Sequence, residues 1–152
     1  MCGAIRYHLA SEPFDCGWCH CRTCQLWSGA PAMPFASVPR ADFGWNDGEE
    51  RVRWIRSSNF GRRAFCGECG TPLLVQVDHQ PETVDFPIVT LDDPDAIAPE
   101  FHIFWSSRVA WFNPGDDLPR HEKFRPQTRG LEGTEPPDES SLEGGSTQSS
   151  AD

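Results

Sequence analysis

Short runs of alternating apolar and polar residues dominate the chain as far as Phe112. From Ala4 to Leu9, Ile5, Tyr7 and Leu9 alternate with more polar neighbours, the period-two pattern of a half-buried strand. Pro13 ends that run and Phe14 leads into a cysteine-rich stretch. Pro34 to Val38, Phe43 to Trp45 and Arg51 to Ser57 are further runs, bounded by turn residues at Pro39, Asn46-Asp47-Gly48 and Ser57-Ser58-Asn59, the spacing of a meander. Arg62 to Phe65 and Thr71 to Val77 predict two more strands, the second with Leu73, Val75 and Val77 on one face. Val84 to Leu91 predicts another, and His102 to Trp105 and Val109 to Phe112 supply the last apolar runs. Gln25 to Pro31 predicts no more than a turn of helix, because Gly29 and Pro31 end it quickly. Asp93 or Asp95 is placed to cap one turn through Ala98. The expectation is an all-β domain.

Beyond Phe124 the pattern stops. Gly, Ser, Pro, Glu and Thr dominate, and Leu131 and Leu142 are the only large apolar residues from 131 onward. Such a segment cannot bury enough surface to offset its ordering entropy. The predicted organisation is one domain over 1–127 and an acidic disordered tail over 128–152. The tail also accounts for most of the charge. Residues 131–152 carry six acidic side chains and no basic one, whereas 1–130 carry 13 basic against 17 acidic, within a total of −10. A mildly acidic body argues against nucleic acid as the partner, since a reader of phosphates presents a basic face. No apolar run approaches the roughly 20 residues of a membrane span. Met1 leads directly into the first predicted strand without a secretory signal, so the expected location is the cytoplasm, with no membrane partner.

Seven cysteines change the picture further. Cys19, Cys21 and Cys24 form a C-x-C-x2-C stretch whose thiols are able to converge on one small cation without help from the rest of the fold. Cys66-Gly67-Glu68-Cys69-Gly70, 42 residues beyond Cys24, is a second metal-type element. Thiolates select zinc, copper(I) or iron-sulfur clusters over hard cations. An odd count, no secretory signal and two tight clusters favour reduced thiols over disulfides. Two partitions fit the spacing. Cys21, Cys24, Cys66 and Cys69 would close one tetrahedral ribbon site, leaving Cys2, Cys16 and Cys19 over. Alternatively Cys19, Cys21 and Cys24 hold one metal, with a fourth position open as in catalytic zinc sites, and Cys2, Cys66 and Cys69 hold another that is one ligand short.

Other candidates read more simply. Cys16 is expected to be a small buried residue. His20 lies between two of the clasp cysteines and is expected to face away from them; His102 and Trp105 are expected in the core. Asp92-Asp93 before Pro94 is a turn and cap rather than a carboxylate pair. Arg63 would either fork a substrate carboxylate or pair with an acidic neighbour.

Several segments together resemble the glutathione-dependent formaldehyde-activating enzyme family, which includes centromere protein V. They are Cys2-Gly3-Ala4-Ile5-Arg6-Tyr7, Cys19-His20-Cys21-Arg22-Thr23-Cys24 with Ser28-Gly29-Ala30, Val38-Pro39 to Phe43, and Arg63-Ala64-Phe65-Cys66-Gly67-Glu68-Cys69-Gly70-Thr71-Pro72-Leu73. Thr90-Leu91-Asp92-Asp93-Pro94, His102-Ile103 and Trp111 follow in the family's order, so the resemblance covers about residues 2 to 124. It implies a β-tent of short antiparallel sheets organised around zinc-cysteine sites. It also implies two zincs, a catalytic one at Cys19, Cys21 and Cys24 and a structural one at Cys2, Cys66 and Cys69. The family's fourth structural ligand belongs to a C-x-C-G opening in which Met1 takes the middle place. The expectation is a start that lacks that cysteine, the other candidates for the fourth ligand being water, Cys16 or His8. The implied activity is that of a carbon-sulfur lyase forming or cleaving S-hydroxymethylglutathione from glutathione and formaldehyde, or acting on a related thiol adduct. The alternatives are a non-catalytic module that binds zinc and glutathione, and a thiol redox sensor.

Overall fold

A computed structural model of the chain describes residues 1–126; the expected boundary at 127 and the tail over 128–152 lie outside the described residues. The strands are β1 (Arg6–Leu9), β2 (Phe14–Cys19), β3 (Met33–Pro39), β4 (Phe43–Asp47), β5 (Val52–Ser58), β6 (Gly61–Cys66), β7 (Pro72–Val77), β8 (Thr83–Pro87) and β9 (His102–Ile103), with one helix, α1 (Arg22–Ser28). Seven of them form a sheet in the order β5-β6-β7-β8-β3-β2-β9, while β1 and β4 pair separately. All pairings are antiparallel except β2 with β9. The all-β class holds. Among the described residues, no helix is long and apolar enough to cross a membrane.

The alternation of side chains gives the large sheet two different faces. On one face Ala36 lies opposite Phe86, Val38 opposite Val84 and Ala64 opposite Leu74, all buried in one core with Cys66 and Ile88. The small sheet closes over this face, with Ile5, Leu9, Phe43 and Trp45 packed against it and Tyr7 stacked on Phe43 at 5.1 Å. On the other face the ladder runs Arg63–Val75–Asp85–Ser37. There Met33, Phe35 and Val75 pack with Cys19, Cys24 and Phe101. Gly17 is what lets Phe101 come so close. A Cβ at this position would sit 2.4 Å from the phenyl ring.

Four elements differ from the sequence expectation. Residues Arg22–Ser28 form a seven-residue helix rather than a turn at Gln25–Pro31. Cys21 caps it, its Sγ accepting the Cys24 N–H at 3.3 Å, and Gly29 ends it at φ 64, so the cysteines serve as start signals that an apolar pattern does not show. Phe14–Cys19 is a strand that the cysteine-rich composition conceals. The run from Val84 stops at Pro87 and bends into a 3-10 turn at Ile88–Thr90, since proline has no N–H to continue the ladder. Val109 to Phe112 is a turn closed by the Phe112 N–H on the Val109 carbonyl, not a strand. Asp93 does cap a single turn, at Pro94–Ala96.

Candidate functional site

The cysteines gather into two groups, one toward each face of the large sheet. The sulfurs of Cys19, Cys21 and Cys24 lie within 4.8 Å of one another, as do those of Cys2, Cys66 and Cys69, and each group could hold a metal ion. Among the described residues each group has three members. Cys21 and Cys24 therefore do not meet Cys66 and Cys69. Cys2 comes to Cys66 from 64 residues away, with 3.7 Å between the sulfurs. Cys16 belongs to neither group. It is buried in the core, where desolvation pushes its thiol up to about 11 and leaves it unreactive at neutral pH.

The first group is built at a junction. Cys19 ends β2, Cys21 caps α1 and Cys24 lies in the helix's first turn. Hydrogen bonds from Cys19 and then Cys24 pull the Cys21 thiol well below its ordinary value against the cost of burial, helped by the Cys24 N–H and the charge of Arg63. The same contact with Cys21, then Cys24 and burial, pushes Cys19 up. For Cys24 the Cys19 contact lowers the pKa, but the Cys21 contact and burial raise it more. Of the three thiols, Cys21 is the one whose surroundings favour the thiolate. A set of close, partly ionised thiols fits a soft cation, whose binding would expel the remaining protons.

The second group follows the same logic. Hydrogen bonds from the Thr71 hydroxyl and backbone, then from Cys2, bring the Cys69 thiol down to about 6. Cys2 is raised because contacts with Cys69 and Cys66, with desolvation, outweigh the lowering effect of the Ala4 backbone N–H.

Arg63 is 6% exposed. Its Nη1 donates to the Ser57 hydroxyl and its Nη2 points at Cys24 Sγ, 3.5 Å away. Its Nε, and the indole Nε1 of Trp27, are buried N–H groups without a partner among the described residues, and the guanidinium carbon lies 6.0 Å from the Trp27 ring. Two strands from Arg63, the Ser37 hydroxyl donates to Asp85 Oδ1 at 2.6 Å. Burial raises the Asp85 carboxyl to about 6, opposed by Ser37 and by Arg63. Sequence reasoning found Arg63 but missed Trp27, Asp85 and Ser37. A period-two pattern does not say which exposed-looking polar residue a helix will cover.

His20 and His102 are wholly buried and touch each other, Nε2 to Nδ1, at 2.8 Å. Trp105 packs against both rings in steeply tilted, T-shaped contacts, with centroids 5.0 and 5.3 Å apart. Elsewhere, two shallow cavities of about 290 Å³ are lined by residues such as Arg40, Arg62 and Gln76 and include no cysteine.

Fold and site together define a small β protein with two thiol groups of metal-binding type on opposite faces of one sheet. The family model of the glutathione-dependent formaldehyde-activating enzymes matches residues 1–107, and the chain belongs to that family. It is 36% identical over 73 residues to an uncharacterized lyase of Schizosaccharomyces pombe. That match covers 48% of this chain and 51% of the other, about half the length of the curated relative. The crystal structure of a Rhodobacter sphaeroides protein superposes with a TM-score of 0.53 over 64% of this chain and 93% of that one, at 20% identity, a likeness of fold alone.

Proposed function

We propose that the chain is a zinc-dependent carbon-sulfur lyase that forms or cleaves the adduct of a small thiol, such as glutathione, with an aldehyde such as formaldehyde. Cys19, Cys21 and Cys24 would hold the catalytic zinc, and Cys2, Cys66 and Cys69 a structural one that contributes folding free energy. The observation that carries this reading is the convergence of three thiols within 4.8 Å, one of them with a lowered pKa, beside a buried arginine. Bound there, zinc would lower the pKa of a substrate thiol and act as a Lewis acid.

The protein's own groups have separable tasks. Arg63, its Nη2 against Cys24 Sγ, favours ionisation of both Cys21 and Cys24, and Ser57 holds the guanidinium in place. Arg63 Nε–H and Trp27 Nε1–H are offered to an acceptor oxygen of the substrate, a carboxylate or the aldehyde oxygen. Each such donor left unpaired costs about 1–3 kcal/mol, which a substrate oxygen would recover. Phe35 and Phe101, packed with the clasp, limit water at the reacting atoms. In the net addition the thiol proton passes to the carbonyl oxygen as the carbon-sulfur bond forms.

The test is exchange spectroscopy by NMR on glutathione and formaldehyde with zinc-loaded protein. Adduct formation faster than the uncatalysed rate is expected for the wild type, and its loss for Cys21→Ser. A wild-type rate no greater than that of buffer removes the enzyme reading.

A further inference from the structure

His20 sits between two clasp cysteines and is tied to other described residues at every polar atom but one. Its N–H donates to the Ile103 carbonyl at 3.0 Å. Its carbonyl accepts from Gln25 Nε2 at 2.7 Å, and the same amide nitrogen reaches the Ser107 carbonyl at 3.0 Å. The side chain starts a chain of hydrogen bonds that runs outward. His20 Nε2 meets His102 Nδ1 at 2.8 Å, and His102 Nε2 lies 3.1 and 3.2 Å from the two carboxylate oxygens of Asp116. Asp116 also accepts the Leu118 N–H and is approached by Arg120.

The direction of this chain follows from what each group is able to donate. A carboxylate only accepts, so a neutral His102 carries its proton on Nε2 and offers a lone pair at Nδ1. His20 must then donate from Nε2, which leaves its Nδ1 bare, and Nδ1 is the polar atom of the ring that has no partner among the described residues. The tautomers of both rings are set from the outer end. The backbone helps: Phe104, at φ 56, turns the segment so that Trp105 folds back onto both imidazoles. A bulky residue adopts that left-handed conformation only where surrounding contacts over-determine it.

We propose that Asp116 and His102 are positioning residues for the Cys19–Cys21 loop, acting through His20 to hold those two sulfurs at the spacing a soft cation needs. The inference rests on the reading of this clasp as a metal site. A loop already held in register loses little freedom when it takes a metal, so removing the outer groups weakens the metal without touching a ligand. Groups hydrogen-bonded directly to a metal ligand typically contribute about 10- to 100-fold in metal affinity, which sets the ceiling for groups that act through a neighbouring residue.

The experiment uses the full chain loaded with zinc, challenged with graded chelator and then N-ethylmaleimide, with alkylation mapped by peptide mass so that each thiol group reports separately. In Asp116→Asn and His102→Asn, Cys19, Cys21 and Cys24 are expected to lose protection at lower chelator, by up to about 10-fold, the low end for direct partners of a ligand, while Cys2, Cys66 and Cys69 stay as in the wild type. Asp116→Glu should restore most of the difference. Nitrogen-15 NMR should show His20 protonated at Nε2 alone in the wild type and as a mixture of tautomers in Asp116→Asn. Unchanged clasp protection in both variants, or equal loosening of both thiol groups, overturns the proposal, as does a wild-type His20 protonated at Nδ1. A wild-type clasp that zinc never protects instead overturns the metal reading beneath it.

Discussion

Asp85 should make this protein less stable as the pH rises from about 4 to 6, and replacing it with asparagine should remove that loss. Its carboxyl is lifted from an ordinary 3.8 to about 6, first by burial, with the Ser37 hydroxyl and Arg63 pulling the other way. Below 3.8 folded and unfolded chains are both protonated there and the group is neutral toward folding. As pH rises through 3.8 the unfolded chain releases its proton while the folded one keeps it, so stability falls until the folded carboxyl ionises near 6 and is level beyond. A difference of about two pH units at about 1.4 kcal/mol each gives a ceiling of roughly 3 kcal/mol. The residue is partly open to solvent, which places the expected effect below that ceiling. The side-chain amide introduced by Asp85→Asn would keep an acceptor for the Ser37 hydroxyl and carry no charge. The assay is urea unfolding of wild type and Asp85→Asn from pH 4 to 8. Effects of the cysteines, common to both proteins, cancel in the difference. The variant's stability relative to wild type should increase across pH 4 to 6 and then stay constant. A difference that does not change with pH refutes the reasoning.

Two further expectations concern packing and the second thiol group. Gly17→Ala drives a methyl into the Phe101 ring, 2.4 Å from the new atom; overpacking of this kind costs about 1–3 kcal/mol, and a melting temperature within a degree of wild type would show that Phe101 moves freely. Strong chelation should lower the melting temperature of the zinc-loaded wild type, because a ligand bound only by the folded state stabilises it by mass action. In Cys66→Ser that chelator-sensitive part should shrink sharply, measured by calorimetry with and without chelator, and an undiminished response would place the stabilising metal elsewhere.

Much of this molecule is local, and local features are legible along the chain. Period-two alternation in 4–9, 34–38 and 72–77 marks strands because successive side chains alternate faces whatever the rest of the fold does. Three cysteines within six residues need only a local turn to converge, so the clasp announces itself. Where local signals conflict, the reading goes astray. Cysteine and glycine near Cys16–Cys19 hide β2, and α1 is too short for a helical period to stand out, its boundaries set by a thiol cap and a left-handed glycine.

By itself the sequence determined the all-β class, the family and the two cysteine motifs, because each is built from short local patterns and the order in which they follow one another along the chain. Only the tertiary structure decided how distant groups are shared. It carries Cys2 across 64 residues to Cys66 and keeps Cys69 apart from Cys24 by assigning them to opposite faces of one sheet. It also sets Arg63 against Cys24 and threads His20 through His102 to Asp116. The physical reason is strand order. β6 reaches the clasp through β7, β8 and β3, and β9 lies beside β2, a neighbour relation that no periodicity within either strand encodes.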